Sequence, residues 1–275
     1  MWFTEQGSGA IGRIDRYGSI RQFRLKTYDS QPEGIAPGPG GALYFAENGY
    51  AYATHVGRIS TDGRITEWND SNAMPKGVAA FSGGSVWFTD GCGGLTVLDP
   101  RGKVSQYPLN GIPGETPAIV RAPDGALWFS EDGTARIGRI DASGKLTIYN
   151  GLMYQQKYND LPYSVAVGPD GNLWWTATMS NVIWAMNLKG RIVHRFAIPT
   201  AGSQPWGITA GRDGALWFTE TAGNKIGRVT TRGTFAEYSL PTANAKPQGI
   251  ASDARGTIWF VESGANRIGR IGPTV

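Results

Sequence analysis

The sequence is poor in the groups that most often do chemistry or cross membranes. Its 275 residues hold one cysteine, Cys92, and two histidines, His55 and His194. A single cysteine excludes an internal disulfide and leaves the redox compartment open. Nowhere do about 18 apolar residues run together, so no membrane-spanning helix is expected. No run of five like charges occurs, and a net charge of +4 is too mild to mark a nucleic-acid surface. Glycine is abundant, 40 residues beside 16 prolines, as suits an all-β protein with many tight turns.

Seven copies of an aromatic-aromatic-small-acid tetrad organise the chain. They start at Trp2, Tyr44, Trp87, Trp128, Trp174, Trp217 and Trp259, at steps of 42, 43, 41, 46, 43 and 42 residues. A period of that length made of short strand-like runs predicts a seven-bladed β-propeller of four-stranded antiparallel blades, one domain over 1–275. In the clearest repeat, PWGITA is strand A, ALWFTE strand B, NKIGRV strand C and TFAEYSL strand D, with Gly-containing turns between them. Strand B is apolar on both faces, as expected where both sides of a blade are covered. The tetrad acid recurs with the arginine of a following IGR, as Glu5 with Arg13 and Glu220 with Arg228. Recurrence in five blades assigns these to scaffold, as ion pairs or turn contacts. The same reasoning makes the GSGAIG of Gly7–Gly12 a B–C turn, not a dinucleotide loop, because no helix follows it.

The strand count predicts 26: the first blade starts at its B strand and the last stops after its C strand. A D strand and an A strand, about 20–25 residues, are therefore expected before Met1. A secretion signal lost with them would make the protein periplasmic or secreted; otherwise it is cytoplasmic.

The phrases ALWFTE, GNKIGR, the PxGI starts of A strands and the GPDG turns resemble the streptogramin B lyase (virginiamycin B lyase) family of bacteria, over all seven repeats. That resemblance implies β-elimination, which linearises a cyclic depsipeptide at a threonine ester. It also implies histidines directly after the PxGI prolines of the last two blades, two nearby glutamates, and Mg²⁺ as electrophile. This sequence departs at each point. Trp206 and Gln248 stand at the histidine positions, Lys246 at that of the first glutamate, and Ser263 is nearest the second.

Irregularity marks a functional face, since binding residues sit on variable loops held by a regular scaffold. The A–B turns repeat closely. The B–C and D–A connections do not: NGYAYATH carries Tyr50, Tyr52 and His55, and NGLMYQQKYNDLPY carries Tyr154. The residue after each PxGI proline differs in every blade: Glu33, Lys76, Ala118, Tyr163, Trp206 and Gln248. These are expected to line an axial pocket for a small molecule, peptide or glycan, with Tyr163 and Trp206 stacking on a planar or sugar-like group. Mutual neutralisation of Glu33 and Lys76 is the plainer account of that pair. An alternative is an active carbon–oxygen lyase with relocated machinery, using His55 or Glu33 as base and Mg²⁺ as electrophile. A protein-binding sensor or receptor platform is a third. His194 is expected at the surface of an outer strand, and Met179, Trp184 and Met186 to repack blade five. Cys92 shows no activating partner, and no spacing among Glu33, Glu115 and Asp160 supports a metal. A monomer is expected.

Overall fold

The computed structural model describes residues 1–27, 29–49, 54–69, 74–91, 93–109, 114–133, 135–150 and 161–272. Its strands number 26. Blade one is β1 (Trp2–Glu5), β2 (Ala10–Ile14) and β3 (Ile20–Arg24). Blade two is β4 (Pro32–Pro37), β5 (Leu43–Asn48), β6 (Thr54–Ile59) and β7 (Ile65–Asn69). Blade three is β8 (Pro75–Ala80), β9 (Val86–Asp90), β10 (Gly94–Leu98) and β11 (Val104–Pro108). Blade four is β12 (Ile119–Arg121), β13 (Leu127–Glu131), β14 (Arg136–Ile140) and β15 (Leu146–Tyr149). Blade five is β16 (Pro162–Val167), β17 (Leu173–Ala177), β18 (Val182–Met186) and β19 (Ile192–Ala197). Blade six is β20 (Pro205–Ala210), β21 (Ala215–Glu220), β22 (Lys225–Thr230) and β23 (Phe235–Ser239). Blade seven is β24 (Pro247–Ser252), β25 (Ile258–Glu262) and β26 (Arg267–Ile271). Each sheet is an antiparallel meander in chain order, and the first and last have three strands. The fold is the expected seven-bladed propeller; among the described residues the helical pieces are short 3₁₀ turns.

Two compact units divide the chain: Met1–Arg121, Gly125–Gly133 and Arg139–Leu146 form one, and Ala122–Asp124, Thr134–Gly138 and Thr147–Val275 the other. Within the first, β1 packs on β4 and β4 on β8; within the second, β16 packs on β20 and β20 on β24. Both faces of β21, the B strand of blade six, are covered. Phe218 and Leu216 of β21 pack with Trp174, Ile183 and Ala166 of blade five, while Trp217 packs with Ile258 and Phe260 of blade seven. Each such side chain contributes about 1.5–3 kcal/mol by leaving water.

The arginines of the IGR motif do not meet the tetrad acids. Register places Arg228 across from Trp217, and its guanidinium lies over the indole at 5.9 Å while Nε donates to Asp213 at 2.6 Å. Arg13 lies over Trp2 and Arg270 over Trp259 in the same way. The aspartate belongs to the A–B turn, where it also accepts the indole N–H: Trp174 to Asp170 and Trp259 to Asp253, both at 2.9 Å. Of the two expected arrangements, an ion pair with the tetrad acid or a turn contact, Arg228 makes the second. A strand's period of two puts Arg228 opposite the tryptophan, three residues from the acid. The acid faces the start of strand C instead: Glu47 opposite His55, the second residue of β6, and Glu220 and Glu262 opposite Lys225 and Arg267, the first residues of β22 and β26.

Blade five departs where its sequence does. Trp184 replaces the glycine that faces phenylalanine elsewhere, and stacks on Trp175 with centroids 6.1 Å apart and planes 7° from parallel. Trp184 and Met186 are buried, as repacking requires, but Met179 is 71% exposed and takes no part in it. His194 is half-buried, against the expectation of a surface residue: its ring forms a cluster with Trp174 at 5.7 Å and Phe196 at 5.1 Å.

Candidate functional site

A proline-led segment, PxG in blades two, three, six and seven and PYS in blade five, aims the varied residue at the start of the A strand. In blades two, three, five, six and seven the proline is buried opposite the last residue of the tetrad, and the register shifts before pairing resumes at the fourth residue. That shift is a β-bulge, a device that re-aims a side chain. Proline suits its start because it has no N–H to give the ladder. A threonine hydroxyl from the preceding blade then fixes the bulged peptide. Thr4 donates to the Glu33 carbonyl at 2.7 Å, Thr176 to that of Trp206 at 2.6 Å and Thr219 to that of Gln248 at 2.8 Å. The same Thr219 hydroxyl accepts the N–H of Gly207 in its own blade. Glycine is required at Gly34 and Gly207 because a neighbouring carbonyl occupies the place of a side chain. A Cβ on Gly207 would lie 2.5 Å from the Gln248 oxygen, and one on Gly34 would lie 2.1 Å from the Lys76 oxygen. The residue before the proline carries strain in three blades, with Gln31, Gln204 and Lys246 at φ of 41°, 52° and 46°.

In the second unit this scaffold holds Tyr163, Trp206 and Gln248 as the second residues of the adjacent strands β16, β20 and β24. All three are half-buried. Tyr163 and Trp206 touch, with ring centroids 4.1 Å apart and planes at 49°. An aromatic pair tilted in this way and only partly covered offers rigid contact area with little side-chain entropy to lose.

In the first unit the expected neutralisation of Glu33 by Lys76 does not occur. The carboxylate of Glu33 accepts from the Asn48 amide at 3.1 Å, and the Lys76 ammonium pairs with Glu115. Lys76 has its closer partner in the connection leading to blade four, where Glu115 and Asp132 also exchange backbone-side hydrogen bonds. Burial, then the Glu115 charge, holds the Asp132 carboxyl above the usual range. His55, in β6, is half-buried opposite Glu47 and Asn69, and its Nδ1 is buried without a hydrogen bond. Ala118 brings no chemistry. Tyr50, Tyr52, Tyr154, Cys92 and Asp160 lie outside the described residues.

Sequence reasoning missed the buried acids as chemistry, because it set the tetrad acid aside as an ion pair. Glu47, Asp90, Glu131, Glu220 and Glu262 are all at most 5% exposed. Burial, and then the Glu237 charge, pushes Glu220 up from 4.5 to about 7; nearby Ser203 and Lys225 offset only part of this. Neither Glu220 oxygen has a hydrogen-bond partner among the described residues, the Ser203 hydroxyl being given to Asn181. Also missed were the asparagines of the B–C turns. Asn224, at φ 53°, donates to the carbonyls of Leu240 and Thr242 and accepts from Ala245 N–H, stapling the D–A connection; Asn181 does the same in blade five. Among the described residues no three His, Cys, Asp or Glu side chains converge on a point. At the positions where the lyase resemblance implies catalytic groups stand Trp206, Gln248, Lys246 and Ser263. That donor set does not fit Mg²⁺, which takes carboxylate and water oxygens. No helix among the described residues is long and apolar enough to cross a membrane.

Comparison with known proteins agrees with this architecture. The virginiamycin B lyase from Staphylococcus aureus superposes with a TM-score of 0.89 at 32% identity, covering 98% of this chain and 89% of that one. A catalytically inactive form of the S. aureus enzyme, with a histidine replaced by alanine and quinupristin bound, superposes with a TM-score of 0.82 at 35% identity, over 91% and 84% of the two chains. A virginiamycin B lyase of Nocardia farcinica is 30% identical over 131 residues, 48% of this chain and 40% of its own length. The model of the virginiamycin B lyase family matches residues 1–111 and 68–274, and by that coverage the chain belongs to the virginiamycin B lyase family.

Proposed function

We propose that the protein is a binding propeller of this family, which takes a small molecule, peptide or glycan through a planar group placed against Tyr163 and Trp206. The observation that carries the reading is the aromatic pair itself. Its rings lie 4.1 Å apart on backbone pinned by the Thr176 hydroxyl, at the point where the repeat stops repeating. Quinupristin, which is seen with a relative, is the first ligand to titrate. Trp206→Ala is expected to weaken its binding at least tenfold, as loss of a well-packed aromatic anchor does, with the melting temperature nearly unchanged. Equal affinity of wild type and variant would count decisively against the site.

A second reading, the relocated lyase, has one observation in its favour. His55 stands across from buried Glu47 in the same blade as Glu33, which Asn48 orients. It predicts ring-opened quinupristin, seen by chromatography and fragmentation since elimination leaves the mass unchanged. Product formation that survives both His55→Ala and Glu33→Ala sinks it.

A further inference from the structure

The charges around Tyr163, Trp206 and Gln248 are distributed unevenly. Five connections of the second unit whose residues are all described lie at this end of its strands: 177–182, 199–204, 220–225, 241–246 and 262–267. They contain two acids, Glu220 and Glu262, and three cations, Lys225, Lys246 and Arg267. Both acids are buried, at 0% and 5% exposure. Lys225 is engaged, its ammonium donating to Glu237 at 3.1 Å and to Thr200 at 2.7 Å. Arg267 is exposed and, although opposite Glu262 in register, forms no ion pair with it; it belongs to strand C, separated by strand B from the A strand that carries Gln248. Lys246 is exposed and forms no ion pair with any described acid. The acids of the A–B turns, Asp170, Asp213 and Asp253, lie at the other end of the strands, each tied to an indole.

Lys246 is also held in place. It is two residues before Gln248, its backbone is kept at φ 46°, and the Ser263 hydroxyl donates to its carbonyl at 2.7 Å. A left-handed conformation before proline is costly for a residue with a side chain, and cost of that kind gathers at binding sites. We infer that the ligand of this end is an anion attached to a planar group, an aromatic carboxylate in chemical class. Its ring lies on Tyr163 and Trp206, and its charge is met by the Lys246 ammonium. The inference rests on the proposed aromatic site and adds the sign of the ligand's charge. With no exposed described carboxylate in these connections, an anion gains from the local field and a cation does not.

Naphthylacetate, naphthylacetamide and naphthylethylamine share one ring and differ in charge, so calorimetric titration of the three separates the two claims. Wild type is expected to bind the acid about three- to tenfold tighter than the amide at low salt, as an exposed to partly desolvated ion pair allows, and the amine most weakly. Lys246→Gln is expected to bring acid and amide to equal affinity. Glutamine is tolerated in this backbone, since Gln31 and Gln204 hold it at the equivalent positions of two other blades. Equal binding of acid and amide by wild type, or a preference that persists in Lys246→Gln, overturns the charge assignment. Binding of the amide that is lost in Trp206→Ala leaves the aromatic site standing in that event. Failure of wild type to bind any of the three overturns both.

Discussion

Replacing Glu220 by glutamine tests whether the buried acids of the tetrads are held neutral. The carboxyl is inaccessible, close to Glu237, and raised from 4.5 to about 7. A folded-state value above the unfolded one means that the folded protein holds the proton more tightly. Below about pH 4.5 both states are protonated and folding carries no penalty from this group. As pH rises from there to about 7 the unfolded chain releases the proton first, so stability falls; above 7 the full loss is present. At 1.36 kcal/mol per pH unit, a rise from 4.5 to about 7 corresponds to ~3 kcal/mol. Against a typical domain stability of about 5–15 kcal/mol that is easily measured. Urea denaturation of wild type and Glu220→Gln at pH 5 and at pH 8.5 gives four free energies. The stability of the variant relative to wild type is expected to rise by ~2.5 kcal/mol between the two conditions, part of the loss being already present at pH 5. The cost of burying an amide is common to both and cancels, and so does the raised Asp132, which both proteins retain. A relative stability that does not change with pH would show that Glu220 is charged in the fold, with a partner other than those described.

Three further substitutions test how the site is held. Thr176→Val removes the hydroxyl that bridges Ser164 N–H and the Trp206 carbonyl; a loss of about 1–3 kcal/mol in chemical denaturation is expected, with weaker quinupristin binding. Gly207→Ala places a methyl 2.5 Å from the Gln248 oxygen, and its melting temperature should drop by the equivalent of about 1–3 kcal/mol; an unchanged melt would show that the adjacent A strands separate freely. Asn224→Ala loses three hydrogen bonds at φ 53°. It should cost about 2–4 kcal/mol and raise amide exchange in the D–A connection ending at Lys246.

How far the sequence could be read depended on whether a feature repeats. Strand order, the count of 26 and the three-stranded first and last blades follow from period and turn chemistry alone, since a WFTE tetrad between two glycine turns has one way to sit in a meander. The varied residues after the prolines were legible for the converse reason: Tyr163 and Trp206 break a pattern that packing alone would have kept. The partner of each charge was not legible. Glu220 and Arg228 recur together, but recurrence sets which residues share a blade, and cross-strand register sets which of them touch. Register put Arg228 on Trp217 and Asp213, and left Glu220 buried opposite Lys225. For the same reason Lys76 was assigned to Glu33, the neighbouring member of its series, when Glu115 was within reach from a connection that follows no repeat. A repeat sequence thus exposes its exceptions but not their neighbours. At the proposed site the neighbours decide the chemistry: two acids withdrawn from solvent leave exposed cations, Lys246 beside the A strand foremost, as the charge that a ligand on Trp206 would meet.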